Sequence, residues 1–238
     1  MIETQTTPPP RSWPSRLLVF VTKLGLWFIA ISLLLVLIFR FLPVPITATM
    51  LFDDNGATRD WEPLSNISPN LARAVIAAED GKFCQHSGFD TEAIEKAIKR
   101  NTQGGRMRGG STISQQTAKN VFLWQGSGWT RYLRKLPEAW FTLLIETFWG
   151  KPRIMEVYLN VAETGIGTYG AEAGAQRYYN KSAANLSRAE AARIAAILPL
   201  PKKRAVNGAG GFTRRYGNTI AARIGAVKRD GLDSCIYK

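Results

Sequence analysis

The stretch SPNLARAVIAAEDG, residues 68–81, decides the fold class of this chain. Ser68 is a favourable N-cap, Pro69 suits the first helical position, and Gly81 ends the pattern. Three apolar residues between them fall on one helix face: Leu71, Val75 and Ala78. The stretch therefore predicts an amphipathic helix that ends in two carboxylates.

Helical periodicity continues through most of the chain after residue 43. We predict further helices at 90–100, from Ser111 or Thr112, at 130–148 with an interruption at Pro137, at 152–162, at 187–198 and at 212–228. Alternating polarity is rare, and Thr47–Phe52 is the best candidate strand. We therefore expect a mainly α domain whose core lies wholly beyond residue 43.

An apolar segment precedes this domain. Leu24–Phe39 has 16 residues without a charge, which span about 24 Å as a helix against a hydrocarbon core of about 30 Å. Apolar neighbours extend it to Leu17–Leu42, which we predict to be one membrane-spanning helix. Residues 1–16 would then be a cytoplasmic tail and residues 43–238 an exported, periplasmic domain.

Two other interpretations of the segment are a cleaved signal peptide and a buried core helix. The run is longer than the apolar region of about 7–15 residues in a signal peptide, and it lacks the polar face of a core helix. Arg11, Arg16 and Lys23 on its N-terminal side predict an N-terminus inside the cell, against which Arg40 argues weakly.

The chain is basic, with 31 Lys and Arg against 18 Asp and Glu and a net charge of +13. One interpretation is that a basic domain beside a membrane attracts anionic lipids and phosphate-bearing substrates. The other is that the surplus charge only keeps the protein soluble. Export argues against a nucleic-acid partner. Two cysteines and one histidine form neither a disulfide framework nor a zinc-finger cluster. The sequence leaves open whether Cys84 and Cys235 pair.

A glycine-rich basic loop and the helix after it predict an anion site. The loop GGRMRGG, residues 104–110, precedes a helix start without the lysine of a Walker loop. Ser111, Gln115 and Lys119 recur every four residues, with Gln116 and Asn120 on the adjacent stripe. A flexible basic loop without a ligand would have a similar composition.

Acidic residues supply the second signal. Glu79 and Asp80 lie at a helix C-terminus, which disfavours carboxylates, so a raised pKa and a role as general base are one interpretation. The other is an ion pair of Glu79 or Asp80 with Lys82 or Arg73. Glu138 follows Arg134 by four residues, which predicts either an ordinary ion pair or part of a phosphate or metal cluster.

Four ordered segments resemble the signature motifs of the bacterial peptidoglycan glycosyltransferases, and especially their monofunctional biosynthetic transglycosylase branch: EDGKFCQHSG (79–88), GGSTISQQTAKN (109–120), RKLPE (134–138) and KPRIMEVYLN (151–160). The resemblance covers roughly residues 60–205. It departs from the family pattern at Ser114, Cys84, Pro137 and Arg153, and the segment between Asn120 and Arg131 does not align cleanly.

The resemblance implies a lysozyme-like helical domain, anchored to the inner membrane by one helix, that polymerises lipid II into glycan strands, with inversion and release of undecaprenyl diphosphate. Glu79 would be the catalytic base and Glu138 the second catalytic acid, orienting Arg134 or a divalent cation, Mg²⁺, at the diphosphate. Substrate contacts are implied for Ser111, Thr112, Gln115, Gln116, Lys119, Asn120, Arg134 and Lys135.

The implied partners are lipid II, the growing strand and proteins of cell division or wall synthesis. Two rival functions are a lytic hydrolase and a non-catalytic envelope-binding protein. A hydrolase of finished glycan would have no use for a basic diphosphate site, and a binding protein would not explain the GGST…QQ…KN helix.

Overall fold

The computed structural model describes residues 13–102, 110–126, 128–208 and 210–237 of the chain. Its regular elements within these ranges are mostly α-helices, which confirms the predicted class. The helices are α1 Trp13–Phe41, α2 Ala48–Leu51, α3 Pro69–Glu79, α4 Thr91–Thr102, α5 Ile113–Phe122, α6 Thr130–Leu133, α7 Lys135–Phe148, α8 Lys151–Val161, α9 Ala171–Tyr179, α10 Arg188–Ile197 and α11 Gly211–Arg229. Short 3₁₀ turns cover Leu64–Asn66 and Ala183–Asn185.

Local side-chain caps explain where several helices begin. The hydroxyl of Ser68 accepts a hydrogen bond from the backbone N–H of Asn70 at 3.4 Å, as the sequence predicts for the start of α3. Thr112 and Ser187 begin α5 and α10 with complete capping boxes. The helix that carries the motif GGSTISQQTAKN therefore starts at Ile113, directly after its cap.

Three short strands form a small sheet in the order β1 (Thr58–Arg59), β3 (Thr168–Tyr169), β2 (Glu163–Gly165). β2 and β3 are antiparallel, and Gly167 between them has a φ of 62°, which favours glycine. The predicted strand at Thr47–Phe52 is wrong. Thr47 instead caps α2 by accepting a hydrogen bond from the N–H of Met50, so local capping outweighs the alternating polarity.

The predicted interruption at Pro137 is also wrong in position. The break between α6 and α7 falls at Arg134, whereas Pro137 lies in the first turn of α7. A proline there costs little, because the first-turn N–H groups have no acceptor within the helix.

The core places the C-terminus of α3 beside the N-terminal half of α5. α3 packs against α10 and α11, while α5 packs against α7 and α8. Phe83, Ile113 and Tyr158 are among the side chains buried where these groups meet. The end of α3 is thereby held against α5 by a shared apolar core.

α1 is long and apolar enough to cross a membrane, with a mean hydropathy of 2.5 over its best window. Only 11% of that window is buried, unlike a core helix of a soluble protein. The expectation of a core wholly beyond residue 43 is nevertheless wrong, because Val36 is fully buried and its carbonyl accepts a hydrogen bond from the indole of Trp149 at 2.8 Å. Arg153, a departure from the family pattern, binds the carbonyl of Phe39 at 2.7 Å.

A disulfide joins Cys84 to Cys235, with an S–S distance of 2.02 Å. The segment after α11 is also held by an ion pair of 2.6 Å between Arg73 on α3 and Asp233. The guanidinium of Arg73 further lies 5.4 Å from the ring centroid of Tyr237. The C-terminal segment is therefore fixed to α3 and to the loop that follows it.

Candidate active site

Glu79 is the last residue of α3 and its side chain is partly buried. Its Oε2 accepts a hydrogen bond from Nε2 of Gln116 at 3.0 Å, and Oε1 of Gln116 accepts one from the hydroxyl of Tyr158 at 3.3 Å. Burial raises the pKa of Glu79, and the hydrogen bond from Gln116 opposes that rise. A carboxylate in such surroundings is suited to accept a proton.

The ion pairs that would have given Glu79 and Asp80 a purely structural role are not formed. Arg73 pairs with Asp233 at 2.6 Å, and Lys82 pairs with Glu92. Glu79 is left with an uncharged hydrogen-bond partner. The interpretation of Glu79 or Asp80 as a partner of Lys82 or Arg73 is therefore wrong.

Asp80 fixes the geometry around Glu79. Its Oδ2 accepts a hydrogen bond from the N–H of Ile113 at 2.9 Å, and its Oδ1 lies 3.0 Å from Nε2 of His86. The N–H of Gly88 points at Nδ1 of His86 at 3.2 Å, so this nitrogen accepts and Nε2 carries the proton that binds Asp80. Asp80 thus joins the end of α3 to the start of α5 and holds Gln116 next to Glu79.

A polar cavity of about 360 Å³ opens beside Gln116 and Tyr158. Its walls come from α5, α8 and the segment after α10, and include Lys119, Asn120, Glu163 and Lys202. Oδ1 of Asn120 is buried and has no hydrogen-bond partner among the described residues, so a bound molecule that donates a hydrogen bond would satisfy it.

Lys119 lies at the centre of a charged cluster. Burial lowers the pKa of Lys119, the positive charge of Arg134 lowers it further, and Glu138 opposes the shift. Glu138 is 2% exposed and accepts a hydrogen bond from Lys135 at 2.6 Å, and its Oε2 lies 3.6 Å from Nε of Arg134. Three cations around one carboxylate leave an excess of positive charge that would stabilise an anion.

The residues of this cluster do not suit a metal held by the protein. No group of three or more His, Cys, Asp and Glu side chains that could hold an ion occurs in the described part of the chain. Glu138 is the acid that the sequence predicts to orient a divalent cation, and its carboxylate already pairs with Lys135. Three nearby cations would also repel a cation, so we derive no step of the reaction through a metal.

Comparison with known proteins identifies the family of this chain. A family model described as Transglycosylase matches residues 46–224. The chain is 54% identical over 204 residues to a biosynthetic peptidoglycan transglycosylase of Caulobacter vibrioides, covering 84% of this chain and 88% of that protein. This chain belongs to the biosynthetic peptidoglycan transglycosylase family. Relatives with the same name occur in Rhodospirillum centenum, 51% identical over 181 residues (76% of this chain, 77% of that protein), and Pseudomonas putida strain F1, 48% identical over 213 residues (86% of each).

The family assignment confirms the resemblance of the four motifs and the lysozyme-like helical class of the domain. The chain is a peptidoglycan transglycosylase, an enzyme. Its first motif supplies Glu79 and Asp80, its second Gln116 and Lys119, and its third Arg134, Lys135 and Glu138. The Glu79–Gln116 hydrogen bond joins the first motif to the second, and the charges around Lys119 join the second to the third. Gln116 and Lys119 of the second motif line the cavity.

Some of the predicted binding residues have structural roles in the transglycosylase. The hydroxyl of Thr112 accepts a hydrogen bond from the N–H of Gln115 and donates one to the carbonyl of Gly88 at 2.6 Å, and the Gln115 side chain completes the capping box. Ser111 precedes the cap and does not lie on the helix face of Gln115 and Lys119. Their contact with substrate stays a prediction, and residues 104–109 of the basic loop lie outside the described residues.

The structure adds residues that the sequence did not single out. Tyr158 is buried on α8 and bonds to Gln116. Arg204, after α10, acts electrostatically on Glu79. A tyrosine on the buried face of an amphipathic helix is a detectable signal, since its hydroxyl needs a partner. Arg204 follows the aligned motifs, and only the folded chain places it near Glu79.

Proposed function

We propose that this transglycosylase polymerises lipid II by inverting glycosyl transfer, with release of undecaprenyl diphosphate. The observation that carries the proposal is the pairing of a partly buried base, Glu79, with a nearby excess of positive charge at Lys119, Arg134 and Lys135. A glycosyl donor with a diphosphate leaving group needs both groups: one to accept a proton and one to stabilise the departing anion.

The 4-hydroxyl of the acceptor sugar gives its proton to Glu79 as its oxygen forms a bond to the anomeric carbon of the donor. The bond between that carbon and the diphosphate oxygen breaks, and its electron pair leaves with the diphosphate. Lys119, Arg134 and Lys135 stabilise this charge, and Glu138 holds Lys135 in place through their 2.6 Å contact.

The surface beside the cluster supports a substrate with a lipid tail. Trp129, Tyr132, Leu133 and Leu136 are each more than 60% exposed and flank Arg134 and Lys135 in the chain. α1 packs on α7, the helix that carries Leu136. Exposed aromatic and apolar groups next to a spanning helix suit the lipid interface, so the substrate would reach the cations without leaving the bilayer.

The disulfide supports the proposed topology. Disulfides persist in oxidising compartments such as the periplasm and are rare in the cytosol. The Cys84–Cys235 bond therefore favours a periplasmic domain behind a single span in the bacterial inner membrane, which agrees with the basic residues Arg11, Arg16 and Lys23 on the N-terminal side of the apolar run. Partners among division or wall-synthesis proteins belong to the same proposal.

Purified full-length protein in detergent, incubated with lipid II, tests the proposal. We expect long glycan on a gel and free undecaprenyl diphosphate. Parallel reactions with Mg²⁺ and with EDTA test the predicted need for a divalent cation. Cleavage of finished glycan without polymer formation would favour the hydrolase, and the absence of both products would favour a binding protein.

A further inference from the structure

The last fifth of the chain carries most of its net charge, although none of the predicted substrate residues lies there. Residues 188–238 contain eleven Lys and Arg against three Asp and Glu, which is +8 of the total +13. This excess is separate from the diphosphate cluster of α5 and α7. The positive charge of residues 188–238 is therefore not explained by binding of the diphosphate.

Six of these residues are spread over the exposed surface of α10 and α11, outside the buried stripe of α11, and we call this surface the basic face: Arg188 on α10 and Arg214, Arg215, Arg223, Lys228 and Arg229 on α11. All six are exposed. Arg229 pairs with the neighbouring Asp230, and among the described residues the other five form no ion pair. A charged surface without internal counter-charges has a strong field and attracts polyanions.

The basic face begins beside the catalytic carboxylate. Near the start of α11, the hydroxyl of Tyr216 donates a hydrogen bond to the carbonyl of Ala78, the residue before Glu79, at 2.9 Å. The guanidinium of Arg204, which acts on Glu79, lies 5.0 Å from the ring centroid of Phe212. The 19 residues of α11 span about 28 Å and carry the face along α3.

We propose that the basic face binds the peptide carboxylates of the growing glycan strand as it leaves the site. This inference rests on the proposed function. The product is a linear polymer with acidic peptides at regular intervals, and basic side chains spread over a helix that starts beside the catalytic base would offer partners to several of them. Exposed ion pairs are individually weak and exchange readily, so the strand is retained between additions and still slides by one repeat.

The strand fits this surface better than the membrane does. α1, the spanning helix, packs on α7, whereas α10 and α11 pack on each other and on α3. The surface that adjoins the anchor is apolar, with Leu136 and Leu143 exposed on α7. The basic face belongs to a different layer of the domain.

The test compares strand lengths made by full-length protein from lipid II in a neutral detergent. In the Arg214→Glu/Arg215→Glu/Arg223→Glu variant, we expect the rate of the first coupling to stay within about twofold of wild type and the mean strand length to fall at least about threefold. The matched Arg214→Lys/Arg215→Lys/Arg223→Lys variant keeps the charge and should make strands of wild-type length. Lipid II with amidated peptide carboxylates should give short strands even with the wild type.

Each other outcome overturns the inference. Wild-type strand length from the glutamate variant, or full length from amidated lipid II, would show that the face does not hold the strand. Shortening that appears only in phosphatidylglycerol bilayers and not in neutral detergent would identify a membrane contact. If the glutamate variant does not fold, as judged by circular dichroism, the Arg→Gln triple variant takes its place. A wild type that makes no polymer would instead refute the proposed function.

Discussion

The Cys84–Cys235 disulfide should be a major source of stability for this transglycosylase. Its cysteines are 151 positions apart in the chain. A cross-link that closes a loop of that length lowers the conformational entropy of the unfolded chain, which the chain-entropy relation values at about 5 kcal/mol at 25 °C. In the folded state, the Arg73–Asp233 ion pair still holds the C-terminal segment when the disulfide is absent.

We therefore expect the Cys84→Ser/Cys235→Ser variant to lose about 2–5 kcal/mol of unfolding free energy. Urea unfolding of full-length protein in detergent, followed by tryptophan fluorescence, measures the difference. Reductant should bring the wild type down to the level of the double variant and should leave the variant unchanged. A wild type whose unfolding midpoint does not respond to reductant, after mass spectrometry confirms reduction, would refute the reasoning.

Three further changes test the site and the anchor. Glu79→Gln should lower turnover of lipid II at least about 10²-fold, about 2.7 kcal/mol of barrier, and activity within a few-fold of wild type would refute the base assignment. Because burial raises the pKa of Glu79, the wild type loses stability as pH rises through that pKa. The Glu79→Gln variant should therefore melt at a higher temperature than wild type at pH 7 and at the same temperature near pH 3. Lys119→Ala should abolish most activity, and Lys119→Arg should restore it only partly, since a planar guanidinium does not replace a compact ammonium at a partly buried position. Equal rates for Lys119→Arg and wild type would show that charge alone suffices. A chain that starts at Pro43 should melt at a lower temperature than the full chain, because Trp149 loses its hydrogen-bond partner on α1. This truncated chain should lose more activity in vesicles than in detergent. A reporter fused after Lys238 should be found outside the cytoplasm.

Features determined by neighbouring residues were predictable from the sequence. The caps at Ser68 and Ser187 and the starts of α8 and α11 follow from local rules, and the structure has them within one or two residues of the prediction. The six-residue pattern at Thr47–Phe52 was too short to separate strand from helix, and a single capping hydroxyl decided the outcome.

Pairings between distant residues were not predictable in this way. The sequence placed Glu79 at a helix C-terminus, which disfavours a carboxylate. It did not show that Arg73 would pair with Asp233 or that Gln116 would be the hydrogen-bond partner of Glu79. The disulfide likewise depends on how α11 packs against α3. The family motifs predicted which residues form the candidate site, whereas Arg204 lay outside the motif positions used for that prediction and was missed.

The packing of α1 has a mechanical consequence. This helix is 29 residues long, about 43 Å, and its second half lies along α7, where the hydroxyl of Ser32 accepts a hydrogen bond from the indole of Trp140 at 3.0 Å. This packing couples the anchor to the catalytic domain, so in the proposed topology the two would move as one body. The cleft would then keep a constant height and tilt above the lipid, and the enzyme would diffuse sideways without rising to follow its product. On the proposed function, each added disaccharide would push the finished strand outward from a fixed plane.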